Sequence, residues 1–217
     1  MLLALDTSTR YSGIALYAEG RVLLENTWRS AHYHTRHLAP AVEQALAVVD
    51  ARPADLKALA VALGPGSFTG LRIGLAFGKG LALARHIPIV GIPTLDFLAA
   101  AQAPSDLPLL AVLQAGRGRY SVGEYRWEDG CWRSVGDLTV HTLPELTLRA
   151  QSPCVMCGEL PPEARRTLKE EAPQAQLASP AASLRRPAWL AELGWQRLQN
   201  GEGDDPVTLA PIYLHYA

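Results

Sequence analysis

The spacing of apolar positions changes repeatedly along this chain, and each change marks an element. Leu2 to Leu5 is a short apolar run, the pattern of a strand buried on both faces. Asp6-Thr7-Ser8-Thr9-Arg10 then supplies turn chemistry, because short polar side chains bond their own backbone. Ser12 to Ala18 and Arg21 to Trp28 read as strands split by Glu19-Gly20, and so tight a spacing forces antiparallel hairpins. Leu38, Val42, Ala45, Leu46 and Val49 next fall on one face at helical spacing, which predicts a helix over 36–49 with Thr35 as N-cap. Pro40 must lie near the first turn of that helix or bend it, and Pro53 helps to stop it. Leu56 to Leu63 is a second buried strand, a helix is expected over 68–84, and Ile87 to Ile92 is the fifth strand. A short helix starts at Thr94, where Thr caps and Asp96 favours the positive end.

Three antiparallel strands followed by alternating helices and strands is the layout of the α/β ribonuclease H-like core, the building block of the actin-like (ASKHA) folds. A second lobe is expected to begin near Pro104, with a hairpin from Leu107–Gln114 and Tyr120–Trp127. A strand at Cys154–Cys157 and helices near 143–150, 162–170 and 187–200 follow. The expected division is a first lobe over 1–102, joined by the tail 206–217, and a reduced second lobe over 103–205.

Composition narrows the class. The chain has 217 residues, 48% of them hydrophobic and 19% charged, which excludes disorder, and its 3 Cys exclude a disulfide scaffold. No run of about 18 uncharged apolar residues exists, and Asp6 stands where a signal peptide needs its apolar stretch. A cytoplasmic protein with no membrane contact is the expectation. Net charge is −1, without the basic excess usual in proteins that wrap nucleic acid.

The candidate chemistry lies at two turns. Gly64-Pro65-Gly66-Ser67-Phe68-Thr69-Gly70 joins a buried strand to a helix, where unpaired N–H groups suit anions. It matches neither the P-loop nor the dinucleotide frame. Asp6, Thr7 and Ser8, with Gly64, Gly66 and Ser67, are the residues that would touch a nucleotide phosphate; a turn built for steric reasons is the competing reading. Gly70, Gly74 and Gly78 leave one helix face without side chains, at a cost of about 0.5–1 kcal/mol each relative to Ala. Such a stripe admits another backbone, from the chain's own sheet or from a partner. His32, His34 and His37 lack metal spacing, and Cys154-Val155-Met156-Cys157 is a lone CxxC with only Cys131 besides. No metal site and no nucleophile motif is expected. Gly116-Arg117-Gly118-Arg119 is a basic, flexible hairpin tip.

These residues together resemble the TsaB (YeaZ) family of glycoprotease-like proteins. The resemblance rests on Leu3–Thr9, on the lead into Leu38-Ala39-Pro40, on Gly64–Gly74, and on Lys79–Ala82, Ile87–Gly91 and Thr94-Leu95. It covers residues 1 to about 100 and thins beyond, where Gln114-Ala115-Gly116 stands for the family's Asp-Ala-Arg and Tyr213-Leu214-His215 for its Tyr-Leu-Arg. It implies a role in making N6-threonylcarbamoyladenosine (t6A) at position 37 of tRNAs that read ANN codons. The chain would be a catalytically silent partner of a TsaD-like transferase, joined by a TsaE-like ATPase, forming homodimers through the same surface and meeting tRNA only through the complex. No cofactor is expected beyond weak ATP or ADP binding. The partner surface would be the helices over 36–49 and 68–84, through Leu38, Val42, Leu46, Gly70, Leu71, Gly74, Leu75 and Gly78. Two alternatives stand beside it: an ATP-dependent phosphotransferase, with Asp137 as a second acid, and a glycoprotease-like peptidase.

Overall fold

A computed structural model describes residues 1–30 and 34–213, with only the backbone of 34 and 35. The expected Thr35 cap, and the side chains of His32, His34 and His215, fall outside the described residues.

The chain divides into two compact units, residues 1–97 with 186–213, and residues 98–185. The first is a five-stranded sheet in the order β3-β2-β1-β4-β5. β1 (Leu2–Asp6), β2 (Tyr11–Ala18) and β3 (Arg21–Arg29) pair antiparallel, while β4 (Ala58–Gly64) and β5 (Ile89–Pro93) extend the sheet in parallel from β1. Alternation decides which helix covers which face. Leu3, Leu5, Ile14 and Leu16 point toward α1 (His34–Val48) and α2 (Phe68–Arg85), burying Leu38, Val42, Leu46 and Leu75 with them. Leu2, Ala4, Ala15 and Tyr17 point the other way, onto a helix from the far end of the chain. Pro40 lies in the second turn of α1, one turn later than its missing N–H would best allow. α3 (Thr94–Ala100) starts at Thr94 as the sequence implies.

The second unit has its own sheet, β11-β10-β6-β7-β8, with β9 also paired to β7. β6 (Leu109–Gln114) and β7 (Arg119–Glu128) form the expected hairpin, and β10 (Cys154–Gly158) lies parallel to β6. α4 (Leu143–Arg149) and α5 (Pro162–Glu171) cover one face, with Leu146, Met156, Ala164 and Leu168 fully buried. Thr142 and Glu145 close a capping box at the start of α4. β8 (Cys131–Ser134), β9 (Thr139–Thr142) and β11 (Ala175–Leu177) are short, partly exposed strands that the apolar pattern does not announce.

The helix over 187–200 corrects the expected domain division. α6 (Pro187–Gln199) does not belong to the second lobe but packs on β1, β2, β4 and β5. Leu190 and Ala191 are fully buried there, and an added Cβ on Gly194 would lie 2.6 Å from Ala60 Cβ, so only a bare backbone fits. Both ends are pinned. Glu25 of β3 accepts hydrogen bonds from the Arg186 guanidinium and the Ala188 N–H, and Arg197 donates to the Gly91 carbonyl and to Asp204. Asp204 in turn pairs with β5, so the tail through Tyr213 belongs to the first unit.

Candidate functional site

The two turns that were candidates for nucleotide phosphate meet, but they meet each other. Asp6 Oδ1 accepts from the Ser8 N–H at 2.8 Å and from its hydroxyl at 2.5 Å, which folds the turn onto itself. The Thr7 hydroxyl donates to the Gly70 carbonyl at 2.7 Å, and the Ser67 N–H donates to the Ser8 carbonyl at 2.6 Å. A Cβ on Gly66 would overlap the Ser8 carbonyl oxygen, and one on Gly70 the Thr7 carbonyl oxygen. Gly64 gives its N–H to the Thr94 hydroxyl. Asp6, Thr7 and Ser8 are only 2%, 3% and 0% exposed. Asp6, Thr7, Ser8 and Gly64 are thus the buried side of a seam between β1–β2 and the start of α2, with Gly66 and Ser67 at its exposed edge, and the two turns bond each other across it. The glycines are there because backbone meets backbone.

The glycine stripe is corrected in the same way. A Cβ on Gly74 would overlap the Thr7 hydroxyl, and one on Gly78 would lie 2.7 Å from Val61 Cγ1. Gly70 and Gly74 face the Thr7 turn and Gly78 the sheet, all within the chain itself, and Leu71 and Leu75 are buried beside them. Leu38, Val42 and Leu46 are likewise at most 5% exposed. None of the eight residues expected at a partner surface stands out from that surface, because apolar periodicity marks the face a helix turns inward.

The outer side of the same two helices carries a different set. α1 and α2 pack side by side, and a cavity of about 530 Å³ opens along them, walled by Leu38, Ala39, Phe68, Arg72, Ile73 and Phe77. A second, of about 410 Å³, continues it past Ala39 and Phe77 to Leu46, Leu56 and Leu81. Leu38, Val42 and Leu46 line this furrow from within, while Phe68 remains 54% exposed at its lip. Phe68, Arg72, Ile73, Ala76 and Phe77 escape a reading aimed at the glycine stripe, although they recur at the i, i+4, i+5 spacing of a second helix face.

Arg72 is held in place at that lip. Its guanidinium carbon lies 3.7 Å from the Phe68 ring centroid and 5.8 Å from that of Tyr213. Its Nε donates to the Tyr213 hydroxyl at 2.9 Å, and the two rings stand 5.3 Å apart. Tyr213 arrives there on the tail. Lys79 Nζ donates to the Val207 and Leu209 carbonyls, and the Ile212 N–H donates to the Leu63 carbonyl, so the tail is strapped along α2.

Other candidates carry no assembled chemistry. Cys154 and Cys157 are buried in β10, three positions apart and therefore on opposite faces, and burial raises both thiols, Cys157 far above its ordinary range. Asp137 is exposed in the turn between β8 and β9, and Arg117 at the hairpin tip is exposed with φ +50°. Among the described residues no three His, Cys, Asp or Glu side chains stand together as metal ligands, and no helix is long and apolar enough to cross a membrane.

Comparison with known proteins agrees with this architecture. Residues 28–151, more than half of the chain, match the family model for TsaD, tRNA N6-adenosine threonylcarbamoyltransferase. The tRNA threonylcarbamoyladenosine biosynthesis protein TsaB of Bacillus subtilis (strain 168) is 37% identical over 134 residues, 62% of this chain and 58% of that protein. The protein of the same name from Escherichia coli (strain K12) is 36% identical over 140 residues, 60% of this chain and 58% of its own length. The match thus spans less than two thirds of these curated relatives. Among solved structures, YeaZ from Pseudomonas aeruginosa superposes with a TM-score of 0.80 at 28% identity, covering 98% of this chain and 99% of that one. In sequence and in actin-like fold alike, the chain belongs to the TsaB (YeaZ) family, within the wider family that the transferase model describes.

Proposed function

We propose that the protein is a non-catalytic subunit of the machinery that forms t6A at position 37 of tRNA, and that it acts by docking onto a TsaD-like transferase through the α1/α2 furrow. The observation that carries this reading is the furrow itself, a mostly apolar trough flanked by exposed Phe68 on a face that, among the described residues, no other helix or strand of the first unit covers as α6 covers the opposite one. Exposed apolar surface of this kind marks interaction sites. The mutual closure of the Asp6–Ser8 and Gly64–Gly70 turns weighs against a phosphotransferase, since those groups are already bonded to one another. A TsaE-like ATPase completes the proposed complex, and near-neutral charge suits a subunit that reaches tRNA through its partner.

The test is co-purification with a TsaD-like transferase, followed by the tRNA modification assay with and without this chain. A stable complex and modification that depends on the chain are expected. Turnover by the isolated chain, abolished by substituting one of its own polar residues, would sink the reading.

A further inference from the structure

The furrow runs from Phe68 to Leu81 along α2, roughly 20 Å at the rise of an α-helix, and α1 forms its other bank. Its length and its two helical banks suit a helix laid lengthwise rather than a compact small molecule. The walls are mostly apolar, with Glu43 of α1 on one bank and an arginine at each end. At the far end Arg52 is accompanied by Asp55, its neighbour at 4.0 Å. At the near end stands Arg72. Its Nε is used by Tyr213, and among the described residues no carboxylate pairs with it, which leaves the Nη donors of an exposed guanidinium at the mouth of the trough.

Arginine recognises carboxylates through this planar edge, and a guanidinium already stacked on the Phe68 ring and tethered to the Tyr213 hydroxyl loses little further freedom on pairing. Docking an apolar face over the furrow would strip water from Arg72. A partner without an acid there would strand a charge, whereas one with an acid would gain a charge-assisted pair. The strap built from Lys79, Ile212 and Tyr213 therefore has a use beyond closing the core: it aims Arg72.

We infer that Arg72, held by Phe68 and Tyr213, is a specificity-determining residue that receives a carboxylate from the docking helix of the transferase partner, whose apolar face fills the α1/α2 furrow. This rests on the docking function proposed above. Binding of the purified full-length chain to a purified TsaD-like transferase, at low and at 0.15 M or higher salt, tests it. The variants are Arg72→Gln, Arg72→Lys, Arg72→Glu and Tyr213→Phe, each checked for an unchanged melting point.

Affinity is expected to fall about 30-fold or more in R72Q, in line with the loss of one partner of a desolvated pair. R72K should fall less, and Y213F only a few-fold, because it loosens the guanidinium without removing it. The salt dependence of association should be shallower in R72Q than in the wild type. R72E should bind worst and recover when one acidic residue of the transferase's docking helix is changed to Lys. Wild-type binding matched by R72Q would overturn the inference and leave the docking function standing. Loss of a homodimer in R72Q with transferase binding intact would overturn it too, by assigning the occupant to a second copy of the chain. A wild-type chain that never binds the transferase removes both.

Discussion

Two glycines of α2, six residues apart, should answer in opposite directions to the same substitution. Replacing Gly by Ala in a helix interior is favourable by about 0.8–1 kcal/mol from propensity alone. At Gly80 an added Cβ meets nothing within 4 Å, so Gly80→Ala should keep that gain and raise the melting point by about 2–4 °C for a chain of this length. At Gly74 the new methyl would overlap the Thr7 hydroxyl, which is 3% exposed and already bonded to the Gly70 carbonyl at 2.7 Å. Making room means rotating Thr7 or lifting the helix. Overpacking costs about 1–3 kcal/mol, and losing the hydrogen bond costs about 1 kcal/mol more. Less the propensity gain, Gly74→Ala should destabilise by about 1–3 kcal/mol and lower the melting point by roughly 2–12 °C. Thermal unfolding of the isolated chain, followed by circular dichroism beside affinity for the transferase, reads both effects. A Gly74→Ala chain that melts at or above the wild type would refute the packing argument. So would unchanged melting combined with a large loss of affinity, which would turn the stripe outward.

The thiols divide by burial: Cys131 is exposed, whereas Cys154 and Cys157 are buried and held protonated. A thiol reagent at pH 8 should therefore modify one cysteine in the folded chain and three after denaturation, and fast labelling of all three when folded would contradict the structure. His141, which exchanges a hydrogen bond with the Thr139 hydroxyl, is held below the ordinary imidazole range by burial first and by Arg149 second. The unfolded chain then binds more protons than the folded one as pH drops below about 6.5. Stability should fall with pH in that window and flatten below the folded-state value. His141→Gln should lose part of this slope, and an unchanged slope in denaturant titrations between about pH 5 and 7 would exclude the effect.

What could be read in the sequence was local, and what could not was the identity of distant neighbours. Leu2–Leu5 and Ser12–Ala18 announce their strands because hairpins are made of adjacent residues. The Gly70-Gly74-Gly78 spacing announces close approach, but it does not say what approaches; that requires Thr7 and Val61, which the fold brings in. The α6 pattern likewise identifies a helix and not its address, which depends on Glu25, Ala60 and Asp204. β9 and β11 are four and three residues long and half-buried, too short for alternation to show. Arg72 is one of 17 arginines until Tyr213, 141 positions away, gives it an orientation.

Both faces of α2 are consequently tied to one dimension, the distance between its axis and the sheet. The inner face has no side chains at three positions, so the helix lies near enough for Thr7 to bond Gly70 and Ser67 to bond Ser8. That same depth lets Lys79 reach the Val207 and Leu209 carbonyls and lets Arg72 stack on Phe68 while bonding Tyr213. Packed interiors do not deform smoothly, so an atom forced into the inner seam moves the helix rather than compressing the seam. Gly74→Ala should then weaken transferase docking as well as stability, although Gly74 touches no partner. That secondary loss should shrink when Thr7 is cut back by Thr7→Ala in the same chain, because the Thr7 hydroxyl is the atom that the added Cβ would overlap. A surface variant such as Arg72→Gln should show no such rescue, since its effect does not pass through the depth of α2.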